Sequence, residues 1–374
     1  MRDLDTFCEN IFMWSFGIKH PRLIGFSMLC GKRNWESLAV RVDTLMLDFI
    51  GSSYVDPHRR TKQRQDDNPH CAQLAEAPVH ADALTLILNH ENAPRMKYVS
   101  RRGGEFRSIL HRGQRKLLMS EIGALIMLDP MTEYTLVYAG AAPGIHIPFL
   151  SELFPNVTFH LYDPSAFQIR QSERIFLYNT FFTDSVAQSY RGRENLVFIC
   201  DIRVAPDETL VLQDMLAQQR WHEIMQPELT SLKFRLPWPG EDHALSDFPL
   251  FSFEKINDET TVEYLDGEIH LPIWGRQSTT ESRLVIRKRD HSGKKRYNCS
   301  AYEEEMSYFN RVVRPSIHAE QPVRRNGLDG CFDCAAEVEL LTRYAGLKEI
   351  PEDDLIEFVA NLSARISRHL GVRI

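Results

Sequence analysis

Residues 134–163 read YTLVYAGAAPGIHIPFLSELFPNVTFHLYD, and this stretch decides the fold. An apolar run at 135–138 enters a turn of small residues at 140–144, and a segment with apolar side chains at helical spacing follows. A second apolar run ends at Asp163. This order predicts a strand, a tight turn, a helix and a second strand that closes on a carboxylate. Such a unit binds a nucleoside in doubly wound α/β folds.

The chemistry of the turn restricts its ligand. It reads G-A-A-P-G rather than G-x-G-x-x-G, and Pro143 lacks an N–H group. Because a pyrophosphate needs several free N–H donors, the turn suits a nucleoside ligand without one, and S-adenosylmethionine is such a ligand. Asp163, about 20 residues after the turn, can accept hydrogen bonds from both ribose hydroxyls. The favoured interpretation is a methyltransferase, and the alternatives are a dehydrogenase and a structural βαβ unit without a ligand.

Composition narrows the class of protein. The chain has 374 residues, 43% of them hydrophobic, and a net charge of −7. This charge argues against a large nonspecific nucleic-acid surface but is compatible with a local basic groove. No apolar run reaches the roughly 18 residues of a membrane span, and the N-terminus does not resemble a signal peptide. Seven scattered cysteines indicate reduced thiols, and the lone CxxC at 331–334 is not expected to bind a metal.

Hydrophobic spacing gives a coarse organisation of the chain. We predict an N-terminal extension of unknown role at 1–95, with a polar linker near 56–80, and a methyltransferase domain at 96–374. Helices are predicted near 111–128, 164–178, 210–222, 302–313, 334–345 and 353–370. Further strands are predicted near 195–200, 230–236, 268–274 and 282–287.

Four polar residues lie toward the ends of these predicted elements. In chain order they read K-D-K-E, namely Lys116, Asp201, Lys233 and Glu281. Transfer of a methyl group to a ribose 2′-hydroxyl requires the acceptor oxygen to be held in line and steered or deprotonated. We predict that Lys233 performs this role, because burial and a second cation favour a neutral amine. Asp201 would orient it, Lys116 would supply the second cation, and Glu281 would anchor the amines. The alternative is a set of ordinary surface ion pairs.

Six blocks of sequence carry a resemblance. They are residues 113–118 (GQRKLL), 137–146 (VYAGAAPGIH), 201–203 (DIR), 231–239 (SLKFRLPWP), 281–284 (ESRL) and 302–306 (YEEEM). In these blocks the chain resembles the poxvirus cap-specific mRNA (nucleoside-2′-O)-methyltransferases, which also stimulate poly(A) polymerase, and their kinetoplastid cap-methyltransferase relatives. The resemblance covers about residues 98–374 and implies a Rossmann-like class I methyltransferase fold.

The resemblance also implies residue roles. The K-D-K-E residues are catalytic in this family. The cofactor residues that it implies here are Gln114, Tyr138, Gly140, Ala142, Pro143, Gly144, His146, Asp163, Asp201 and Arg203. The cap-binding residues that it implies are Tyr98, Arg235, Trp238 and Glu303.

Aromatic rings clamp 7-methylguanine in this family, because a cationic purine gains stacking and cation–π energy there. Trp238 matches one ring and Glu303 one carboxylate, whereas a core position beside prolines is the alternative for Trp238. The second carboxylate falls on Gly240, so Glu241 or Asp242 would have to replace it.

The expected activity is therefore S-adenosylmethionine-dependent mRNA cap 2′-O-ribose methylation. A non-catalytic cap-binding or polymerase-accessory protein is the alternative, as is methylation of an internal ribose. The expected partner is m7G-capped RNA, with other capping or polyadenylation proteins as candidates. We expect an intracellular monomer that contacts no membrane, nuclear if it resembles the kinetoplastid proteins and cytoplasmic if it resembles the viral ones.

Overall fold

A computed structural model of the chain describes residues 84–90, 92–98, 113–204, 208–237, 254–256, 259–276, 279–290, 293–314, 323, 328 and 331–370. The strands are β1 (Ile87–Leu88), β2 (Tyr134–Ala139), β3 (Val157–Tyr162), β4 (Ile175–Tyr178), β5 (Leu196–Cys200), β6 (Leu229–Phe234), β7 (Glu254–Ile256), β8 (Glu259–Leu265), β9 (Glu268–His270), β10 (Ser282–Arg287) and β11 (Lys294–Asn298). The helices are α1 (Gly113–Leu125), α2 (Ile147–Leu153), α3 (Asp184–Ser189), α4 (Glu208–Met225), α5 (Cys299–Tyr308), α6 (Phe332–Leu347) and α7 (Glu352–His369), and a π-helical turn (Phe309–Val313) extends α5.

The main sheet has eight strands in the order β1-β9-β10-β6-β5-β2-β3-β4. Strands β4, β3, β2, β5 and β6 are parallel. The chain runs outward from β2 to β3 and then returns to β5 on the other side, so the strand order reverses between β2 and β5. Ligands of open α/β sheets bind in the crevice at such a reversal, at the carboxyl ends of the strands. The predicted doubly wound, Rossmann-like α/β fold is confirmed.

Two crossovers explain why helices cover both faces. The β2-α2-β3 and β5-α4-β6 units run in opposite directions along the sheet, and right-handed crossovers place their helices on opposite faces. On one side, α1 packs against α2 and α6, and Tyr344 on α6 donates a hydrogen bond to the carbonyl of Leu153 (2.9 Å). On the other side, Phe182 meets Trp221 of α4 edge to face at 4.9 Å. Strands β2 and β5 are buried along their whole length, as their continuous apolar sequences predict.

The remaining strands are antiparallel and bring a later segment to the same sheet edge. Strand β10 pairs with β6 so that Ser282 lies opposite Phe234 and Arg283 opposite Lys233. The first residue of β10 therefore lies where the parallel strand β6 ends. Strands β11, β8 and β7 form a separate three-stranded sheet. Among the described helices, none is long and apolar enough to cross a membrane.

One predicted helix is wrong. The segment 164–178 contains no helix, and its last four residues form β4, which pairs with β3 from Phe159↔Ile175 to Tyr162↔Tyr178. The rings of Tyr162 and Tyr178 stack at 4.5 Å, and the amide of Gln168 donates to the carbonyl of Pro143 (2.9 Å). Pairing with an exposed strand edge and packing on its aromatic side chains outweighed the helical spacing. Helix α3 was not predicted.

The predicted strand at 268–274 is too long, because β9 ends at His270. Pro272 cannot donate to a ladder, and Trp274 has a left-handed φ of 61°. Its backbone amide donates instead to Asp333 (2.7 Å). The remaining predicted helices and strands are present, with ends shifted by a few residues.

The N-terminal part of the sheet lies before the predicted domain boundary. Strand β1 pairs with β9, and the amide of Leu271 donates to the carbonyl of Leu86 (2.8 Å). The sheet thus begins on the N-terminal side of residues 95/96. The division into an extension and a methyltransferase domain stays a prediction, and the linker near 56–80 lies outside the described residues.

Candidate active site

The turn at 140–144 requires glycine at its two ends. Gly140 and Gly144 have φ values of 80° and 74°, which L side chains rarely adopt. A Cβ on Gly140 would lie 2.9 Å from the carbonyl carbon of Asp201 and from the amide nitrogen of Ile202. The turn is therefore in close backbone contact with the residues that follow β5. A cis peptide bond joins Ala142 to Pro143.

Asp163 ends β3 beside this turn and is half-buried. One carboxylate oxygen accepts a hydrogen bond from the amide of Ala142 (3.1 Å) and the other from the amide of Ser165 (2.8 Å). Each oxygen has two lone pairs, so both keep acceptor capacity for ribose hydroxyls. The structure thus brings Asp163 to the turn, as the sequence predicts.

A buried carboxylate that sequence reasoning missed lies under the turn. Glu121 accepts a hydrogen bond from the hydroxyl of Tyr138 (2.8 Å) and contacts Nε2 of His146 (2.9 Å), while Nδ1 of His146 contacts the side chain of Gln114 (2.8 Å). Burial and the neighbouring Glu121 raise the pKa of Tyr138 well above its usual value. Tyr138 and His146 therefore meet at one carboxylate, and Gln114 joins them through His146. A glutamate within the apolar stripe of α1 was the available signal, since an acid is rarely buried without partners.

The K-D-K-E residues come together at the carboxyl edge of the sheet. Nζ of Lys116 lies 2.5 Å from Glu281, and Nζ of Lys233 lies 3.2 Å from Asp201 and 3.5 Å from the second oxygen of Glu281. Their side chains are between 11% and 24% exposed, so they are accessible from the cleft but shielded from bulk water. The four residues form one connected group.

The topology explains this convergence. Helix α1 brings Lys116, and the amide of Asp201 donates to the carbonyl of Ala139 on β2 (2.9 Å). Lys233 lies near the end of β6, and Glu281 immediately precedes the antiparallel strand β10. Parallel strands end at one edge of a sheet, and an antiparallel neighbour begins there. The group therefore depends on four elements that are distant in sequence.

Arg283 joins the group and was not predicted. It is 6% exposed, and its guanidinium lies 2.5 Å from Asp201. Burial opposes ionisation of Asp201, but Arg283 and Lys233 outweigh it and lower the pKa of Asp201. Burial likewise opposes ionisation of Glu281, but Lys116 and Lys233 lower its pKa well below its usual range. Both carboxylates are thus ionised at neutral pH. An arginine inside the apolar strand sequence SRLVIR was the available signal.

Arg203, another predicted cofactor residue, contacts helix α4. Its Nη1 atom lies 3.6 Å from Asp214 on α4, and burial lowers its pKa. Both of its terminal nitrogens are buried without a hydrogen-bond partner in the described part of the chain. Asp214 also accepts a hydrogen bond from the amide of Val204 (3.1 Å). Asp214 therefore anchors the loop that follows Asp201.

Three of the four predicted cap residues are described. Tyr98 and Glu303 are half-buried, and the amide of Met96 donates to the carbonyl of Glu304 (3.0 Å), so the Tyr98 segment runs beside α5. Burial and the neighbouring Glu304 raise the pKa of Glu303. Arg235 pairs with Glu208 at the start of α4. Trp238, Gly240, Glu241 and Asp242 lie outside the described residues.

Residues 90–350 match the protein family described as Poly A polymerase regulatory subunit. The chain belongs to this family. The match spans most of the chain and includes all six blocks of sequence. It also includes the four residues of the tetrad, Lys116, Asp201, Lys233 and Glu281. The resemblance predicted from the sequence is confirmed.

Two curated proteins to which the chain is similar come from poxviruses. A cap-specific mRNA (nucleoside-2′-O-)-methyltransferase of myxoma virus (strain Lausanne) is 27% identical over 226 residues, covering 55% of this chain and 63% of the relative. A protein of the same description from fowlpox virus (strain NVSL) is 25% identical over 224 residues, covering 55% and 68%. The chain thus spans less than two thirds of the myxoma virus relative.

Among solved structures, bluetongue virus VP4, described as a multifunctional RNA-capping production line, is similar with a TM-score of 0.39 and 12% identity. The similarity covers 57% of this chain and 34% of VP4.

Proposed function

We propose that this chain is an S-adenosylmethionine-dependent mRNA cap methyltransferase that acts on the ribose 2′-hydroxyl of a nucleotide near the m7G cap. The observation that carries the proposal is the contact of Lys233 with both Asp201 and Glu281, together with a glycine turn whose Ala142 amide donates to Asp163, the carboxylate that follows β3. The descriptions of the poxvirus relatives support the same reaction. A non-catalytic cap-binding protein does not need this group of paired lysines and carboxylates, so the tetrad argues against that alternative.

The residues present fit the cofactor. Glycine at position 140 lets the turn lie against the backbone of residues 201–202, where a Cβ would come within 2.9 Å. Asp163, beside the turn, has lone pairs for two ribose hydroxyls. Gln114 and His146 contact each other (2.8 Å), and we assign them to the polar groups of the amino acid moiety. When bound, S-adenosylmethionine supplies an electrophilic methyl group on sulfur. The chain's own residues then have to hold the acceptor oxygen in line with it.

Lys233 is the group that we assign to the acceptor hydroxyl. Methylation of the hydroxyl requires its proton to leave, and Lys233 would steer that proton, or accept it when its amine is neutral. Asp201 and Glu281 hold Nζ from two sides, while Lys116 occupies the other oxygen of Glu281. Arg283 holds Asp201 in turn. Positioning of this kind can contribute several powers of ten to a rate.

The cap end is assigned to Tyr98, Arg235, Trp238 and Glu303. An aromatic ring such as Trp238 favours the cationic 7-methylguanine over guanine, and a carboxylate such as Glu303 can accept hydrogen bonds from the N–H edge of the base. The family description also supports a polyadenylation protein as a partner. Monomeric state and cellular compartment stay predictions.

Transfer of label from the methyl-labelled cofactor to short RNAs tests the reaction. Wild-type protein should label m7GpppN-capped RNA and leave uncapped RNA unlabelled. Lys233→Ala should lower kcat at least about 100-fold, because the hydroxyl loses its steering group. Lys288→Ala, which removes an exposed lysine just after β10, is the matched control and should keep wild-type kcat.

The same assay separates the alternatives. Equal labelling of capped and uncapped RNA would contradict the cap assignment. Capped RNA that is bound but never labelled would identify a non-catalytic cap-binding protein. Full activity of Lys233→Ala would remove Lys233 from its role.

Cofactor binding has an independent readout in thermal stability. At 100 times its Kd, S-adenosylmethionine should stabilise the fold by about 2.7 kcal/mol, so the Tm should rise. Asp163→Ala should reduce this rise because it removes the ribose acceptor. Asp290→Ala removes an exposed carboxylate after β10 and should leave the rise unchanged. A wild-type Tm that does not respond to the cofactor would contradict the proposed site.

A further inference from the structure

Residues 86–90 and 92–98, here called the N-terminal strap, connect the outer edge of the main sheet to helix α5. At one end the amide of Leu271 donates to the carbonyl of Leu86 (2.8 Å). At the other end the amide of Met96 donates to the carbonyl of Glu304 (3.0 Å), two residues before Tyr98. This contact fixes the backbone that leads to Tyr98 against α5.

A buried side-chain pair holds the middle of the strap. Nδ1 of His90 lies 2.6 Å from Glu305, and the two side chains are 8% and 1% exposed. The backbone amide of Asn298, at the start of α5, donates to Nε2 of His90 (3.4 Å). A neutral imidazole protonated on Nδ1 satisfies both contacts, since it donates to the carboxylate and accepts from the amide. The pair thus joins residues that are 215 positions apart in sequence.

Helix α5, which carries Glu305, is also linked to the proposed site. Glu303, an assigned cap residue, lies two positions from Glu305 on α5. Tyr302 of the same helix donates a hydrogen bond to the carbonyl of Thr280 (2.6 Å), next to Glu281, and its ring lies 6.3 Å from the ring of His90. The strap, the cap carboxylate and the segment that carries a tetrad residue are therefore linked through one turn of helix.

We propose that His90 and Glu305 are positioning residues that hold the strap on α5 and thereby place Tyr98 at the proposed cap pocket. The inference rests on the proposed function. In the contacts described here the pair touches none of the tetrad residues, so it should affect how tightly the capped end binds and not the methyl transfer itself. Loss of His90 leaves Glu305 only the longer contact with Arg95 (3.7 Å) among the ion pairs described here. A buried carboxylate that loses its hydrogen-bonded partner is unfavourable, so the strap should loosen.

Two substitutions at one position test this role. His90→Leu removes both hydrogen bonds, whereas His90→Asn keeps a donor near the place of Nδ1. His90→Leu should raise KM for m7G-capped RNA about 10-fold or more, with kcat within about 2-fold, because only ground-state binding is lost. His90→Asn should restore most of the wild-type KM. His222→Leu removes another largely buried histidine, which contacts Thr230 (2.9 Å) away from the strap, and should keep wild-type KM.

Limited trypsin digestion measures whether the strap stays attached to α5, independently of enzyme activity. Lys97 is exposed, and cleavage after it requires the strap to leave α5. Cleavage there should be several-fold faster in His90→Leu than in wild type or His222→Leu. The cofactor-induced rise in Tm should be the same in all variants that remain folded.

The outcomes separate this inference from the proposed function. Faster cleavage in His90→Leu with a wild-type KM would overturn the inference and leave the proposed function standing. Unchanged cleavage in His90→Leu would also overturn it. A wild-type protein that does not distinguish capped from uncapped RNA would reject the proposed cap function and the role of the strap together.

Discussion

At the scale of single residues, the candidate site alternates charge. Asp201 lies between Lys233 and Arg283, and Glu281 lies between Lys116 and Lys233. Each carboxylate therefore holds two cations in place, and each cation lowers a carboxylate pKa that burial alone would raise. Such a group retains its arrangement without substrate, which is the preorganisation that in-line transfer requires.

A histidine outside the site should make stability depend on pH. Burial lowers the pKa of His222 from 6.5 to about 4, so between these values the unfolded chain binds a proton that the folded chain does not. The free energy of unfolding should therefore fall as pH decreases from about 6.5 to 4, by at most about 3 kcal/mol, and should not depend on this group above pH 6.5.

Urea denaturation at several pH values checks this prediction. His222→Gln should flatten the fall between pH 6.5 and 4. His369→Gln, which removes an exposed histidine, should keep the wild-type slope. Equal slopes in wild type and His222→Gln would contradict the assignment.

At the scale of elements, the β2-turn-α2 unit fits against the end of β5. The close approach of Gly140 to the backbone of residues 201–202 leaves no room for a side chain. This contact sets the distance between the part of the cleft assigned to the cofactor and Asp201. This contact also explains why position 140 is glycine rather than another small residue.

Two glycines with similar φ values allow the effect of backbone strain to be distinguished from that of a steric clash. Gly140 and Gly192 have φ values of 80° and 76°, but a Cβ on Gly192 would meet nothing within 4 Å. Gly192→Ala should lower the free energy of unfolding by about 1–2 kcal/mol through backbone strain alone. Gly140→Ala should lower it further and weaken cofactor binding about 10-fold or more. Thermal unfolding with and without cofactor measures both effects, and equal behaviour of the two variants would contradict the proposed close packing.

The prediction of elements from sequence succeeded where the pattern was local. Strands β2 and β3 and helix α7 follow from runs and spacings of apolar residues that pack in place. The segment 164–178 failed because its conformation depends on pairing with β3, which local spacing does not report.

At the scale of the whole molecule, α6 and α7 pack behind α1 through a buried ionic network. Arg115 and Glu337 are both completely buried, and Trp274 donates its indole N–H to the same glutamate (2.8 Å). Ser363 on α7 contacts both partners. Because Lys116 follows Arg115, the C-terminal helices contribute to the placement of the tetrad.

Removing one partner of the Arg115–Glu337 pair should destabilise the fold more than replacing both partners with apolar residues. Glu337→Leu leaves the charge of Arg115 buried and unpaired, and should lower the free energy of unfolding by about 3–5 kcal/mol. The double variant Arg115→Met with Glu337→Leu should recover much of that loss, because no charge stays buried. Urea denaturation measures both, with Glu339→Leu as the control, since Glu339 pairs on the exposed face of α6. A double variant that is less stable than Glu337→Leu would contradict this account.

The amino-acid sequence by itself predicted the glycine turn, Asp163 after the second strand and, through the resemblance, the four K-D-K-E residues. These are legible because turn residues, strand runs and strand ends are local properties of a chain. Only the tertiary structure showed Glu121 under the turn, Arg283 beside Asp201 and the pairing of His90 with Glu305. Each of these charged or polar groups is buried by partners that lie far away in sequence, and local spacing carries no information about partners at that distance.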